Sequence, residues 1–240
     1  MSATANVPPP RTEPLDETRR VQLLERELAA IPRWYSPWGH LAVTSVFGLG
    51  MVVASLVLLR DVTLDAWLTV PVAFVLANAT EWWAHKHLLH HRSPLAPVLY
   101  DRHTPVHHLI YLEGDMAMAS WKEMRLVLIP AYGIMLVALG TGPVAALLWW
   151  LGWPNVGLLW LATTVGYVVL YEWLHLCYHL PAGHLLGRLG LIRRLARHHA
   201  THHDPRKMQR YNFNVTVPLW DLVRGTMAPE DEATAGDGVV

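Results

Sequence analysis

The chain has 240 residues, a length that fits one domain. Hydrophobic residues make up 52% of it, only 16% are charged, and the mean hydropathy is +0.22, values that indicate a membrane protein rather than an ordinary soluble domain. The formal net charge is zero with histidine neutral, so no nucleic-acid partner is expected. The single cysteine, Cys177, excludes an intramolecular disulfide and a thiolate metal site.

The N-terminal region, residues 1–38, is predicted to comprise a tail and an amphipathic helix. Residues 1–14 are polar and proline-rich, which is typical of a disordered tail. Leucines recur near helical spacing between residues 15 and 30, with charges between them. This pattern predicts a helix that lies either on the membrane surface or on the protein surface. At the other end, residues 227–240 are acidic and are also predicted to be disordered.

The central region, residues 39–226, is predicted to be one membrane domain. About 20 apolar residues are needed to cross ~30 Å of hydrocarbon. Four apolar stretches are candidates, at residues 40–59, 64–83, 125–140 and 156–178. A Gly-Thr-Gly-Pro break follows the third stretch, and the short apolar piece at 144–153 either lies at the interface or extends the third helix. The predicted fold class is therefore an all-α integral membrane protein with about four transmembrane helices.

Histidine is strongly clustered in this chain. Of 15 histidines, 14 fall in two windows, 85–108 and 175–203, and only His40 lies outside them. Each window follows a Glu-Trp pair and closes on a double histidine, so the two halves form a degenerate internal repeat with about five imidazoles each.

Positive charge predicts the orientation of the spans. Of 19 Lys and Arg residues, 18 lie in the N-terminal region, in residues 85–125 or after residue 185, and only Arg60 lies on the opposite face. An even number of spans places both termini and both histidine windows on one side, which the positive-inside rule makes cytoplasmic. The prediction is thus a cytoplasmic, histidine-rich metal-binding cap.

Residue spacing brings several imidazoles together. His175 and His179 are four residues apart, so they share a helix face. The same argument selects His87 with His91, whereas residues 85 and 90 would diverge by about 140° on an ideal α-helix and could serve two different metals. About ten neutral nitrogens exceed the coordination number of one ion, so two ions are implied. Imidazole suits Fe, Zn, Cu and Ni.

The order of the histidine boxes, HX4H, HX3HH, HX3H and HX2HH, resembles the fatty acid hydroxylase/sterol desaturase superfamily of membrane di-iron proteins. The resemblance spans about residues 65–225. The spacing of Glu81, His85 and His90 looks like the first box of the fatty acid 2-hydroxylases. The segments 125–130 (RLVLIP) and 213–226 are similar to their approach to the next helix and to their closing segment.

The resemblance implies ten metal ligands and favours the first-box pair five residues apart over His87 and His91, which become secondary candidates. The implied ligands are His85, His90, His103, His107, His108, His175, His179, His199, His202 and His203. Four carboxylates that flank the boxes are candidates to accept the second N–H of the ligating histidines, with solvated interfacial carboxylates as the alternative. These are Glu81, Asp101, Glu172 and Asp204.

Together these features predict a di-iron enzyme that uses O2 to hydroxylate an aliphatic C–H bond of a fatty acid or acyl lipid taken from the bilayer. A lipid or sterol desaturase or oxidase on the same site is the alternative, because loss of a second hydrogen gives an alkene. No haem-binding cytochrome b5-like domain is recognisable in the sequence, so separate electron-transfer proteins are expected. The sequence does not define an oligomeric state.

Two functions of a different class also use imidazoles: a zinc-dependent membrane hydrolase and a metal transporter. Zinc is redox-inert, so activity that depends on oxygen and a reductant would exclude it as the working metal. Zinc in a purified sample would not change this expectation, because affinity for nitrogen-rich sites does not report the physiological metal. A transporter predicts ionisable residues at mid-membrane, whereas these histidines collect at one end of the predicted spans.

Overall fold

The structure is a computed structural model that describes residues 15–181 and 183–229. Within these ranges the chain is helical and has no β-strand, only an isolated bridge between Leu112 and Asp115. The tail predicted at residues 1–14 lies outside the described residues, and so do residues 230–240 of the tail predicted at 227–240. The α-helices are α1 (Glu17–Ala29), α2 (Pro37–Val57), α3 (Thr69–Ala84), α4 (Pro97–Arg102), α5 (His108–Ile110), α6 (Met124–Val127), α7 (Gly133–Trp150), α8 (Pro154–Tyr178), α9 (Gly190–His202) and α10 (Leu219–Arg224). Shorter helical turns are 3₁₀ at Ala66–Leu68, Trp121–Glu123 and Leu185–Arg188, and π at His85–Leu89 and His103–His107.

Three helices in the described residues, α2, α7 and α8, are long and apolar enough to cross a membrane. The remaining predicted span corresponds to α3, which has only 16 residues. At 1.5 Å per residue it reaches about 24 Å, less than the ~30 Å of hydrocarbon. Three candidate spans indicate a membrane protein, but the predicted total of four is not confirmed. The fourth crossing and the cytoplasmic orientation stay predictions.

The helix formed by the third apolar stretch has other bounds than the predicted 125–140. Residues 124–127 form the separate turn α6, and α7 begins only at Gly133 because Pro130 forces the residue before it out of helical geometry. Helix α7 then runs without a break through Pro143 to Trp150. The predicted break at 140–143 is therefore wrong, and the short apolar piece extends the third helix. Proline is tolerated inside membrane-crossing helices.

Helix α8 lies at the centre of the bundle and packs against α2, α3, α7 and α9. Half of its membrane-crossing window is buried, against 6% for the window of α7, so α7 presents most of its apolar surface outward, as a lipid-facing helix does. The two helices approach closely at Gly157, where an added Cβ would lie 2.6 Å from the carbonyl oxygen of Ala145. Small residues at such crossings allow helix backbones to approach.

The segment 211–226 is held against the bundle by buried polar side chains. Asn78 on α3 donates to the carbonyl oxygen of Val217 at 2.8 Å and accepts from the backbone N–H of Trp220 at 3.0 Å. Asp221 accepts from the backbone N–H groups of Phe213 and Asn214 at 2.9 and 2.7 Å. These bonds fix the backbone of the segment beside the histidine windows.

Candidate metal centre

Two π-helical turns organise the first histidine window. The backbone N–H of His90 donates to the carbonyl oxygen of His85 at 3.2 Å, and the two rings lie 5.1 Å apart and nearly parallel. The second turn makes the same i to i+5 bond from His108 to His103 and brings their Nε2 atoms to 3.0 Å. The predicted divergence of residues 85 and 90 is therefore wrong, because it assumed α-helical geometry. A π turn brings residues five apart onto one face.

The candidate ligand nitrogens form two groups. The first cluster comprises five imidazoles whose ligand atoms all lie within 4.8 Å of one another: His85, His90, His103, His108 and His202. The second cluster comprises four imidazoles within the same limit: His107, His179, His199 and His203. His175 borders the second cluster, since its ring lies 5.0 Å from that of His107 and 4.8 Å from that of His199. The structure thus brings together all ten predicted ligands.

The two clusters are adjacent and each draws on both histidine windows. Each double histidine is divided between them, with His107 and His203 in the second cluster and their neighbours in the first. The rings of His108 and His203, one from each cluster, stack with their centroids 4.1 Å apart. Within the first cluster the Nε2 atoms of His85 and His103 approach to 2.9 Å. Converging nitrogens of this kind could hold a metal ion.

The donor atoms fit a metal ion in protonation as well as in position. Burial lowers the pKa of His85 and His179 to about 4, and burial together with neighbouring imidazoles places the pKa of His90 well below its usual value. Neutral imidazoles have the lone pair that a metal requires. In the described part of the chain, the Nε2 atoms of His107 and His179 are buried without a hydrogen-bond partner. Such groups cost about 1–3 kcal/mol each unless a ligand satisfies them.

Backbone carbonyl groups orient the imidazoles. A second hydrogen bond fixes the tautomer and ring position of a ligating histidine. The Nδ1 atoms of five imidazoles meet carbonyl oxygens, which leaves Nε2 for the cluster. The pairs are His85 with Phe213, His107 with Leu126 at 3.1 Å, His179 with Met116 at 2.7 Å, His202 with Tyr211 at 2.7 Å and His203 with Tyr111 at 2.6 Å. These groups cannot be found in the sequence, because every residue has a backbone carbonyl and none gives a residue-specific signal.

The four carboxylates that are candidates to bond the ligating imidazoles have other partners in the structure. Glu81 accepts from the backbone N–H groups of residues 215 and 216 and from the hydroxyl of Tyr167. Glu172 accepts from the backbone N–H of residue 129 at 3.0 Å. Asp101 pairs with Arg92 and Asp204 with Arg206. Backbone carbonyls, rather than these carboxylates, bond the five imidazoles. Glu81 contributes indirectly, by holding the segment that supplies the carbonyl for His85.

The remaining histidines lie outside the clusters. His87 and His91, the secondary candidates, are both exposed, and Nδ1 of His91 meets the carbonyl oxygen of residue 86. His40 is buried and contacts the carbonyl oxygen of residue 129 at 2.8 Å. His184 is exposed, and His198 lies 3.3 Å from the carboxylate of Asp221.

A narrow apolar cavity of about 50 Å³ reaches both clusters. His103 of the first cluster and His107 of the second line it, together with His175. Most of the remaining wall is aliphatic, including Leu99 and Leu128. Apolar side chains therefore form most of the wall beside the imidazoles in this cavity.

The chain has helices able to cross a membrane, and its buried histidine clusters, beside an apolar cavity, are able to bind metal. These features define it as a membrane protein with a candidate metal centre. The sequence matches the family model described as fatty acid hydroxylase over residues 70–226, more than half of the chain. The chain therefore belongs to the fatty acid hydroxylase family, within the fatty acid hydroxylase/sterol desaturase superfamily. Membership implies an oxidative enzyme of the hydroxylase or desaturase type. No characterised protein and no solved structure matches the chain.

Proposed function

We propose that the protein is an O2-dependent di-iron hydroxylase acting on an aliphatic C–H bond of a fatty acid or acyl lipid. The observation that carries this proposal is the pair of adjacent clusters of buried imidazoles at one apolar cavity. Two clusters provide ligands for two ions, and nitrogen donors without thiolate suit iron. The nine clustered histidines and His175, which borders the second cluster, are proposed as ligands.

Two reduced irons, when bound, would supply the activation of dioxygen that an unreactive C–H bond requires. The overall reaction takes one C–H bond, O2, two electrons and two protons to an alcohol and water. The residues of this chain hold the ions, orient the imidazoles through backbone carbonyls and exclude water from the buried site. The aliphatic cavity wall admits the acyl chain from the bilayer. We propose separate proteins as the electron source and the cytoplasm as the side on which the clusters lie.

Labelled dioxygen tests the proposal directly. Membranes containing the protein are incubated with an acyl substrate, a reductase system and ¹⁸O2, and the products are analysed by mass spectrometry. One labelled oxygen atom per hydroxylated product is expected from ¹⁸O2. A parallel incubation with ordinary O2 in H2¹⁸O should give no label in the product. The His203→Ala variant serves as the inactive control. Product that forms without oxygen would refute the oxygenase proposal, and an alkene without label would assign the enzyme to the desaturases.

A further inference from the structure

Two arginines lie side by side near the clusters. The guanidinium of Arg102 donates to the carbonyl oxygen of Arg125, and its other terminal nitrogen, Nη1, is buried and has no hydrogen-bond partner among the described residues. Arginine stays protonated in proteins, so the guanidinium of Arg102 is charged, and an unpaired buried charge is unfavourable unless an anion joins it.

The carboxylates close to this pair are already engaged. Both arginines line a groove of about 330 Å³ that also includes Glu27 and Asp101. Glu27 pairs with Arg26 at 2.8 Å and Asp101 pairs with Arg92 at 2.7 Å. In the described part of the chain no carboxylate lies within ion-pair distance of Arg102 or Arg125, and Glu172 acts on Arg102 only from farther away. The groove thus has two positive charges that the protein does not neutralise locally.

The same arginine connects the groove with the cavity that reaches the clusters. Arg102 and Leu126 line both spaces, and the cavity continues along aliphatic side chains to His103, His107 and His175. A charged groove thus leads to an apolar cavity. An amphiphile with an anionic head and an apolar chain is complementary to these two surfaces. The planar fork of a guanidinium binds carboxylate and phosphate oxygens in pairs.

We propose that Arg102 and Arg125 bind the anionic head group of the acyl substrate, a carboxylate or a phosphate, at the junction of groove and cavity. The chain of the substrate then extends along the cavity toward the clustered imidazoles. This inference rests on the proposed function and deepens it, because it makes a negative head group a requirement for tight binding.

Equilibrium binding tests the inference without turnover. The full chain is placed in nanodiscs of zwitterionic lipid at pH 8, and dissociation constants are measured for radiolabelled palmitate, hexadecyl phosphate and hexadecanol. Arg125→Gln is the first variant, because the guanidinium of Arg125 makes no hydrogen bond in the described structure. Arg102→Lys is the second, since it keeps the charge and removes the fork. Arg194→Gln, an exposed position on α9, is the control.

Arg125→Gln should weaken the binding of the anionic amphiphiles about tenfold, the loss of one charge-assisted contact, and leave hexadecanol unchanged. Arg102→Lys should weaken anion binding at least about threefold with the same selectivity. A loss confined to palmitate would identify free carboxylate as the ligand, and a loss confined to the phosphate would identify lipid phosphate. Equal weakening of hexadecanol, or unchanged anion binding in both variants, would overturn the inference. Selective anion binding in a protein that forms no labelled product would refute the oxygenase proposal alone.

Discussion

The carboxylate of Asp221 allows a sharp test of how the segment 211–226 supports the first cluster. Its two oxygens accept from the backbone N–H groups of Phe213 and Asn214 and from the hydroxyl of Thr226 at 2.7 Å. Asp221→Ala removes all of these acceptors and leaves two buried N–H groups unpaired. At about 1–3 kcal/mol for each group, the free energy of unfolding should fall by roughly 2–6 kcal/mol.

The same substitution should act unequally on the two clusters. The segment supplies the carbonyl groups of Phe213 and Tyr211, which orient His85 and His202, and both of these imidazoles belong to the first cluster. In the second cluster, imidazoles are oriented by carbonyl groups from other segments, such as that of Met116. Loss of an orienting partner typically weakens metal binding about 10–100-fold. Metal content should therefore fall from about two ions to about one.

The assay combines unfolding in detergent with metal analysis after reconstitution with iron. Glu25→Ala, at an exposed carboxylate on α1, is the matched control and should change neither quantity. Loss of both ions in parallel, or unchanged stability of Asp221→Ala, would show that the segment does not position the first cluster as reasoned.

The pH dependence of this stability difference has a defined sign. Burial alone would raise the pKa of Asp221, but hydrogen bonds from His198, Thr226 and two backbone N–H groups hold it below its usual value. The carboxylate therefore contributes its full stabilisation above the ordinary carboxyl pKa of about 4. That contribution is lost as the pH falls through the lower folded value. The difference in unfolding free energy between wild type and Asp221→Ala should narrow as the pH falls through this folded pKa.

Three further predictions concern the clusters and the bundle. His203→Ala should abolish activity and reduce the amount of bound metal measured by mass spectrometry. His87→Ala, at an exposed position, should leave activity and metal content unchanged. Loss of a full metal equivalent in His87→Ala would contradict the assigned ligands. Gly157→Ala should lower the thermal unfolding midpoint, because its Cβ would meet a backbone oxygen at 2.6 Å, while Gly140→Ala, with open space around it, should leave it unchanged or raise it. Chelation of the metal should also lower this midpoint, since a ligand that binds only the folded state stabilises it; an unchanged midpoint would show that the clusters bind no metal.

The sequence identified the histidines of the candidate site but not the local geometry that brings them together. Imidazole is a side-chain property, so clustering in two windows could be detected by counting residues. The π turns at residues 85–89 and 103–107 could not, because the i to i+4 and i to i+5 patterns differ by one residue and tertiary packing decides between them. Spacing alone therefore favoured exposed His87 and His91, and only the family resemblance corrected it.

The fold was predictable in class and less so in its limits. Apolar length located α2 and α8 closely, since continuous runs of about 20 apolar residues have few alternatives. The third span was misplaced because Pro130 interrupts the chain and Pro143 does not, although both are prolines in apolar surroundings. Four of the five carbonyl groups that orient the imidazoles come from residues at least 19 positions away in sequence. Their roles follow from tertiary structure alone.

The division of each double histidine between the clusters has a mechanical consequence. His107 and His108 are joined by a single peptide unit, and so are His202 and His203. Each pair nevertheless contributes one imidazole to each of the two clusters. Consecutive Cα atoms are held 3.8 Å apart by covalent geometry. Two peptide linkages therefore connect the first cluster with the second. Bending of the helices within a deforming bilayer would move the clusters as one body, with the spacing between them nearly preserved.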